Sequence, residues 1–246
     1  MNFKMARIFI TGSADGLGQL SAKALIKQGH KLVLHARNAE RAQEAIKKNP
    51  EAESVLTGDL SNMQETIQLA HQANESGAFD AVIHNAGVYQ VPGKQIYAVN
   101  TIAPYILTCL IKKPKRLIYL SSGMHQGGRL NLESLKSGSI SYSDSKLHVL
   151  LLCKAVARKW PTVYANAVDP GWVPTRMGGS GAPDDLQKGY ETQVWLAVSN
   201  DEKVKVSGRY FFHQQERKYN TEADDVEVPA KFLSVCREIT GISFPA

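Results

Sequence analysis

The chain has 246 residues, 43% of them hydrophobic, with 29 Lys and Arg against 23 Asp and Glu for a net charge of +6. That composition excludes a disordered chain and suffices for the core of one α/β domain, while no apolar run approaches the roughly 18 residues of a membrane span. Three scattered cysteines, Cys109, Cys153 and Cys236, form no Cys-x-x-Cys pair and exclude a disulfide framework, so reduced thiols in a cytoplasmic protein are expected.

Met1 to Gly12 carries Lys4 and Arg7 but too short an apolar run for a signal-peptide core. Ala6 to Ile10 predicts a strand that enters a tight turn, Thr11-Gly12-Ser13-Ala14-Asp15-Gly16-Leu17-Gly18, followed by a helix from Gly16 to Gln28. Glycines at such a junction let backbone approach a pyrophosphate, and the helix N-terminus offers unpaired N–H groups. The segment reads as a phosphate cradle or, with no ligand, as a strand-to-helix turn. Further strands are expected near 31, 54, 79, 116, 162 and 208 with helices between them. This alternation predicts a doubly wound parallel sheet with helices on both faces, in a single domain spanning 1–246.

The second strand runs into Ala36-Arg37-Asn38, with no acid before Glu40. A carboxylate there would favour the ribose hydroxyls of NAD(H); Arg37 instead favours a 2′-phosphate, so NADP(H) is preferred and NAD(H) remains possible. Asp15 opposes a phosphate nearby. Asp59, in Thr57-Gly58-Asp59-Leu60, either caps the helix from Met63 or meets the cofactor. Asn85-Ala86-Gly87 follows the apolar run Phe79 to Ile83, and Asn100 is expected to open a helical stretch. The basic cluster Lys112 to Arg116 reads as a solvated loop, and no nucleic-acid partner is expected. Ser121-Ser122 closes the strand Leu117 to Leu120.

Tyr142 and Lys146 lie one turn apart on a helix expected from Tyr142 to Trp160 and stopped by Pro161, so both face one cleft. A phenol titrates near about 10, and a proton-transfer role near neutrality predicts a downward shift supplied by Lys146 and an oxidised nicotinamide. Asp169-Pro170-Gly171-Trp172-Val173-Pro174-Thr175 follows another strand. Three glycines between Arg176 and Pro183 suggest a mobile lid over 176–200. The seven histidines show no ligand-pair spacing, so no metal site is expected.

In this order, the TGxxxGxG, NAG, Asn, Ser, YxxxK and PG motifs resemble those of the short-chain dehydrogenase/reductase family over nearly the whole chain. The resemblance implies a Rossmann-like sheet of about seven strands in the order 3-2-1-4-5-6-7. It implies that Asn100, Ser122, Tyr142 and Lys146 are catalytic. Tyr142 would give a proton to the alkoxide, Ser122 would orient the carbonyl, Lys146 would bind the ribose and tune Tyr142, and Asn100 would hold a water. Ser122 is chosen over Ser121 because the family places the catalytic serine second. For the cofactor it implies Gly12, Ser13, Gly16, Leu17 and Gly18 at the pyrophosphate, with Arg37 at the outer ribose. Asp59 and Leu60 fall at the adenine, Asn85, Ala86 and Gly87 along the central strand, and Pro170, Gly171, Val173 and Thr175 at the nicotinamide.

The implied activity is NADPH-dependent interconversion of an aldehyde or ketone with its alcohol, that is, a carbonyl reductase. A catalytically silent NADP(H)-binding sensor or scaffold is the alternative; an epimerase is disfavoured by the 71 residues left after Thr175. Nineteen residues separate Ser122 from Tyr142. With Arg129-Leu130-Asn131-Leu132 and Ser207-Gly208-Arg209-Tyr210-Phe211, this spacing resembles the retinol-dehydrogenase-like branch, which implies bulky apolar carbonyl substrates. His125, Tyr89 and Trp172 are candidate pocket residues. Only twelve residues separate Gly87 from Asn100, which shortens a helix used for pairing and leaves a homo-oligomer open.

Overall fold

A computed structural model of the chain describes residues 5–245; residues 1–4 and 246, the ends of the expected domain, lie outside the described residues. The strands are β1 (Arg7–Ile10), β2 (Lys31–Ala36), β3 (Ser54–Thr57), β4 (Ala81–His84), β5 (Arg116–Leu120), β6 (Tyr164–Asp169), β7 (Tyr210–Phe212) and β8 (Gln215–Glu216). The helices are α1 (Gly16–Lys27), α2 (Ala39–Lys48), α3 (Met63–Glu75), α4 (Gly93–Ile96), α5 (Ala103–Leu110), α6 (Leu132–Ser137), α7 (Tyr142–Lys159), α8 (Leu186–Val198) and α9 (Glu227–Thr240). The sheet order is β3-β2-β1-β4-β5-β6-β7-β8, parallel throughout except for the last pair.

The expected seven-strand order is present, and β8 is an addition to it. The turn joining β7 to β8 uses His213 and Gln214, both at positive φ (48° and 60°). Hairpin turns of that kind are usually announced by Asn-Gly or Asp-Gly, so this one carried no sequence signal.

Parallel strands covered on both faces need near-continuous apolar runs, and β2 supplies Leu32, Val33 and Leu34, all fully buried. Two apolar layers result. One joins Phe9, Val33 and Val82 to α3, α5, α7 and α9; the other joins Ile8, Ile10, Leu32 and Leu34 to α1 and α8. The helix α7 is buried continuously from Ser145 to Val156, deeper than a one-face amphipathic pattern implies. Its start is fixed by a capping box in which Ser141 and Asp144 exchange hydrogen bonds. The cap of α3 is Asn62, whose side chain accepts from Gln64 and Glu65. Asp59 is therefore not the helix cap: its carboxylate accepts from the Ser61 amide and hydroxyl. No helix among the described residues is long and apolar enough to cross a membrane.

Candidate active site

The carboxyl ends of β1 through β7 converge on one edge of the sheet, and the turn after β1 is its most constrained part. Gly12 and Gly16 have φ of +64° and +53°, the left-handed region that glycine adopts without penalty. A Cβ on Gly12 would lie 2.9 Å from the Ala86 Cα, and one on Gly18 would lie 2.4 Å from the Asn85 Nδ2. The Asn85 amide donates to the Thr11 and Gly12 carbonyls at 2.9 and 3.1 Å, and the Ala86 N–H donates to the Thr11 hydroxyl at 3.0 Å. The motif after β4 thus holds the motif after β1. A Cβ on Gly16 would meet nothing nearer than Thr175 at 3.9 Å, so the face at the α1 N-terminus is open. An open, left-handed glycine at a helix N-terminus fits the pyrophosphate of a dinucleotide.

His35 is a member of this loop that sequence reading missed. Its Nδ1 accepts the Gly12 N–H at 2.9 Å, and its Nε2 donates to the Gly58 carbonyl at 2.9 Å, so one neutral imidazole ties the β1 turn to the end of β3. Burial pulls it down to about 4, which keeps it neutral. A histidine inside an apolar strand carries no mark of this role. Arg37 is exposed and lines a polar cleft of about 340 Å³ with Thr57, Gly58, Gln68 and Gln72. Asp15 is matched by Arg41 at 3.4 Å and Lys48 at 3.6 Å; burial opposes but does not outweigh the Gly16 N–H bond and these charges, and its carboxyl is held below the ordinary value.

Asn100 does not open a helix. It lies within one π-helical turn, Tyr97–Ile102, between α4 and α5. Its Oδ1 accepts the Val88 N–H at 2.8 Å, and its Nδ2 donates to the Val88 carbonyl at 3.0 Å and to the Ser145 hydroxyl at 3.1 Å. The side chain thus fastens the loop after Gly87 to α7; π-turns recur at functional sites because they displace backbone from its usual pairing.

The Lys146 ammonium is buried, donates to the Leu120 carbonyl at 2.8 Å and lies 5.4 Å from the centre of the Tyr142 ring. Burial pulls it down to about 8, with the Asp169 carboxylate acting the other way. Tyr142 departs from expectation. Burial pushes its phenol up to about 12; a hydrogen-bonding interaction with the Ser122 hydroxyl opposes this, and the Asp169 and Tyr89 charges reinforce it. Desolvation disfavours the phenolate more strongly than one serine favours it, and the nearest ammonium is aimed at a backbone carbonyl. Ser122 accepts the Met124 N–H at 3.2 Å, whereas Ser121 donates at 2.8 Å to the Lys146 carbonyl and is buried.

The Tyr89 ring packs 4.7 Å from that of Tyr142. Trp172 is 60% exposed, yet its indole N–H donates to the Gly178 carbonyl at 2.8 Å and its backbone pairs with Asp184. Those bonds close the base of an irregular loop from Trp172 to Asp185. The expected lid of 176–200 is therefore divided: residues 186–198 are α8, packed on α1, with Gly189 against Val173 and Pro170. His125 is held at both nitrogens, by the Ser122 carbonyl at 2.6 Å and the Asn220 N–H at 3.1 Å. No cluster of three or more His, Cys, Asp or Glu suited to a metal ion occurs among the described residues.

A dinucleotide turn, a Tyr-x-x-x-Lys helix and a serine at the end of β5 on one sheet edge define an oxidoreductase of the doubly wound class. The family profile described as short chain dehydrogenase matches residues 6–185, and the chain belongs to the short-chain dehydrogenase/reductase family. An uncharacterised oxidoreductase of Emericella nidulans is 43% identical, covering 98% of this chain and 99% of its own length. Retinol dehydrogenase 14 of Mus musculus is 26% identical, covering 96% of this chain and 86% of its own. A short-chain dehydrogenase from Shigella flexneri, solved in complex with NADP, shares the fold with a TM-score of 0.68 at 22% identity, covering 87% of this chain and 99% of its own. The protein is an NAD(P)-dependent oxidoreductase of that family.

Proposed function

We propose that the enzyme reduces an aldehyde or ketone to its alcohol, or runs the reverse, and prefers NADPH over NADH. The observation that carries this reading is the half-buried Tyr142 phenol beside Ser122, with the buried ammonium of Lys146 5.4 Å from its ring centre. Burial pushes this phenol up to about 12, so it holds its proton at neutral pH and gives it up only to a strong base such as the developing alkoxide. The chemistry a bound nicotinamide supplies is the hydride. Ser122 orients the carbonyl oxygen, and Tyr142 delivers the proton as negative charge develops on that oxygen. Lys146, still largely charged at pH 7, stabilises the phenolate left behind. Asn100 sets the distance between the loop after Gly87 and α7, and so the width of the cleft.

The NADPH preference rests on Arg37 at the polar cleft after β2 and on the absence of an acid between Ala36 and Glu40. Two carboxylates stand against it: Asp15, compensated by Arg41 and Lys48, and Glu65, which lines the same cleft and accepts the Asp59 N–H at 2.8 Å. Oxidation of NADPH, followed by absorbance against aldehydes, ketones and quinones, tests the reading. Tyr142→Phe is expected to lower kcat/KM by about 100-fold or more while NADPH binding persists. Cofactor binding by wild-type protein with no turnover on any of these would instead support the silent sensor.

A further inference from the structure

A cavity of about 220 Å³ opens beyond Ser122, along the ends of β5, β6 and β7, on the side away from the glycine turn. Gly123, His125, Asp169 and Tyr210 line it, with Arg217 and Lys218 towards the chain's carboxyl end. Tyr210 is 2% exposed, and its hydroxyl has no hydrogen-bond partner. A buried hydroxyl without a partner is costly, and native folds rarely leave one without a reason.

The neighbours do not satisfy it. The His125 ring, 4.7 Å from the Tyr210 ring between centres, is already held at both nitrogens. Asp169 accepts the Gly171 N–H through Oδ1 at 2.9 Å. Its Oδ2 faces Gly123, where an added Cβ would lie 3.0 Å away. The carboxylate interacts with the Tyr210 hydroxyl without closing a hydrogen bond of normal geometry. The cavity therefore offers one unused O–H donor and one carboxylate acceptor side by side. Arg217 and Lys218 would draw an anionic group to their own part of the lining, but at the Tyr210–Asp169 pair the carboxylate repels one, and an apolar group leaves both unanswered. A hydroxyl answers both, accepting from Tyr210 and donating to Asp169.

We propose that this cavity is the far half of the substrate site and binds a hydroxyl of the substrate between Tyr210 and Asp169, so that the enzyme selects hydroxylated carbonyl compounds. The proposal rests on the carbonyl-reducing reading of the Ser122 site, and it narrows the bulky apolar substrates that the family branch suggests. Gly123, in the cavity lining, follows Ser122 directly in the chain, and we take a carbonyl held by Ser122 and a hydroxyl held by Asp169 as groups of one ligand.

The test uses matched pairs, the 2-, 3- and 4-hydroxyacetophenones against the methylacetophenones of the same substitution. Each is titrated calorimetrically onto NADP+-saturated protein and also assayed for turnover with NADPH. For at least one position the hydroxy compound is expected to bind about tenfold tighter than its methyl partner, with Tyr210→Phe bringing the ratio close to one. General damage to the fold weakens both members of a pair and leaves the ratio in place. Equal affinities at every position, no measurable binding of the hydroxy compounds, or an unchanged ratio in Tyr210→Phe overturns the proposal. Turnover without hydroxyl preference would retire this site alone. Hydroxyl preference without turnover would support it and count against carbonyl reduction.

Discussion

Arg37 and Lys146 carry the same charge in opposite settings, and their roles follow from that difference. Lys146 is buried with one backbone acceptor, so burial depresses its pKa to about 8, and Asp169 acts to keep it charged. Such a group is destabilising to the fold and is accounted for by chemistry. Arg37 is exposed beside a polar cleft, where its worth depends on a partner that brings its own charge. A charge-assisted contact to phosphate contributes about 1.5–3 kcal/mol, and solvent screening reduces it towards the lower figure. Arg37→Ala is therefore expected to lower the NADPH-to-NADH ratio of kcat/KM about tenfold, mostly through weaker NADPH use. The gap between wild type and variant should shrink as salt rises. An unchanged ratio would remove Arg37 from the cofactor site.

The β1–α1 turn is defined by contacts that no propensity describes. Gly18 has no room for a Cβ, with Asn85 Nδ2 at 2.4 Å and the Gly12 carbonyl at 2.5 Å, whereas Gly29, which is at positive φ, has nothing within 4 Å. Gly18→Ala must push apart the β1 and β4 motifs and is expected to cost about 2–3 kcal/mol, or roughly 5–10 °C in Tm. Gly29→Ala faces backbone strain alone and should cost about 1 kcal/mol. Similar melting temperatures for the two variants would show that close approach is not what Gly18 provides. The same contrast explains what was legible in the sequence. The apolar runs of β2 and β5 and the Tyr142–Lys146 spacing of α7 state their structure locally, and the six ordered motifs marked Asn100, Ser122, Tyr142 and Lys146, which the fold gathers at one edge of the sheet. His35, Asp169 and Tyr210 look ordinary in sequence because their meaning is in what the fold sets beside them: Gly12 for the first, Gly123 for the second and the His125 ring for the third. The π-turn at Asn100 and the hairpin at His213-Gln214 were missed for the same reason: tertiary packing holds them against local preference.

Among the described residues five imidazoles are buried, and burial acts most strongly on three of them: His35 in β2, His84 in β4 and His148 in α7. Each is held neutral by burial, which pulls them to about 4, 3 and 4. His84 stacks on Tyr119 with ring centres 4.8 Å apart, and His148 meets the Thr101 hydroxyl at 3.2 Å, so neither has a buried carboxylate to welcome a proton. The unfolded chain binds protons at these positions near pH 6.5 while the folded chain does not, so stability falls as pH drops from about 6.5 towards 4. At pH 5 each histidine contributes a loss of about 2 kcal/mol, or roughly 6 kcal/mol together, a large part of the 5–15 kcal/mol typical of a domain. The carboxylates of Asp15, Glu53, Asp144 and Asp224, all held below their ordinary values, extend the loss in the same direction at lower pH. Calorimetric scans at pH 7, 6 and 5 should therefore show Tm falling by more than about 10 °C, with most of the drop between pH 6 and 5. A Tm that holds constant over that range would mean that the histidines accept protons inside the fold. The sheet edge that His35 ties together would then not be the dry, preorganised scaffold on which the Tyr142 chemistry depends.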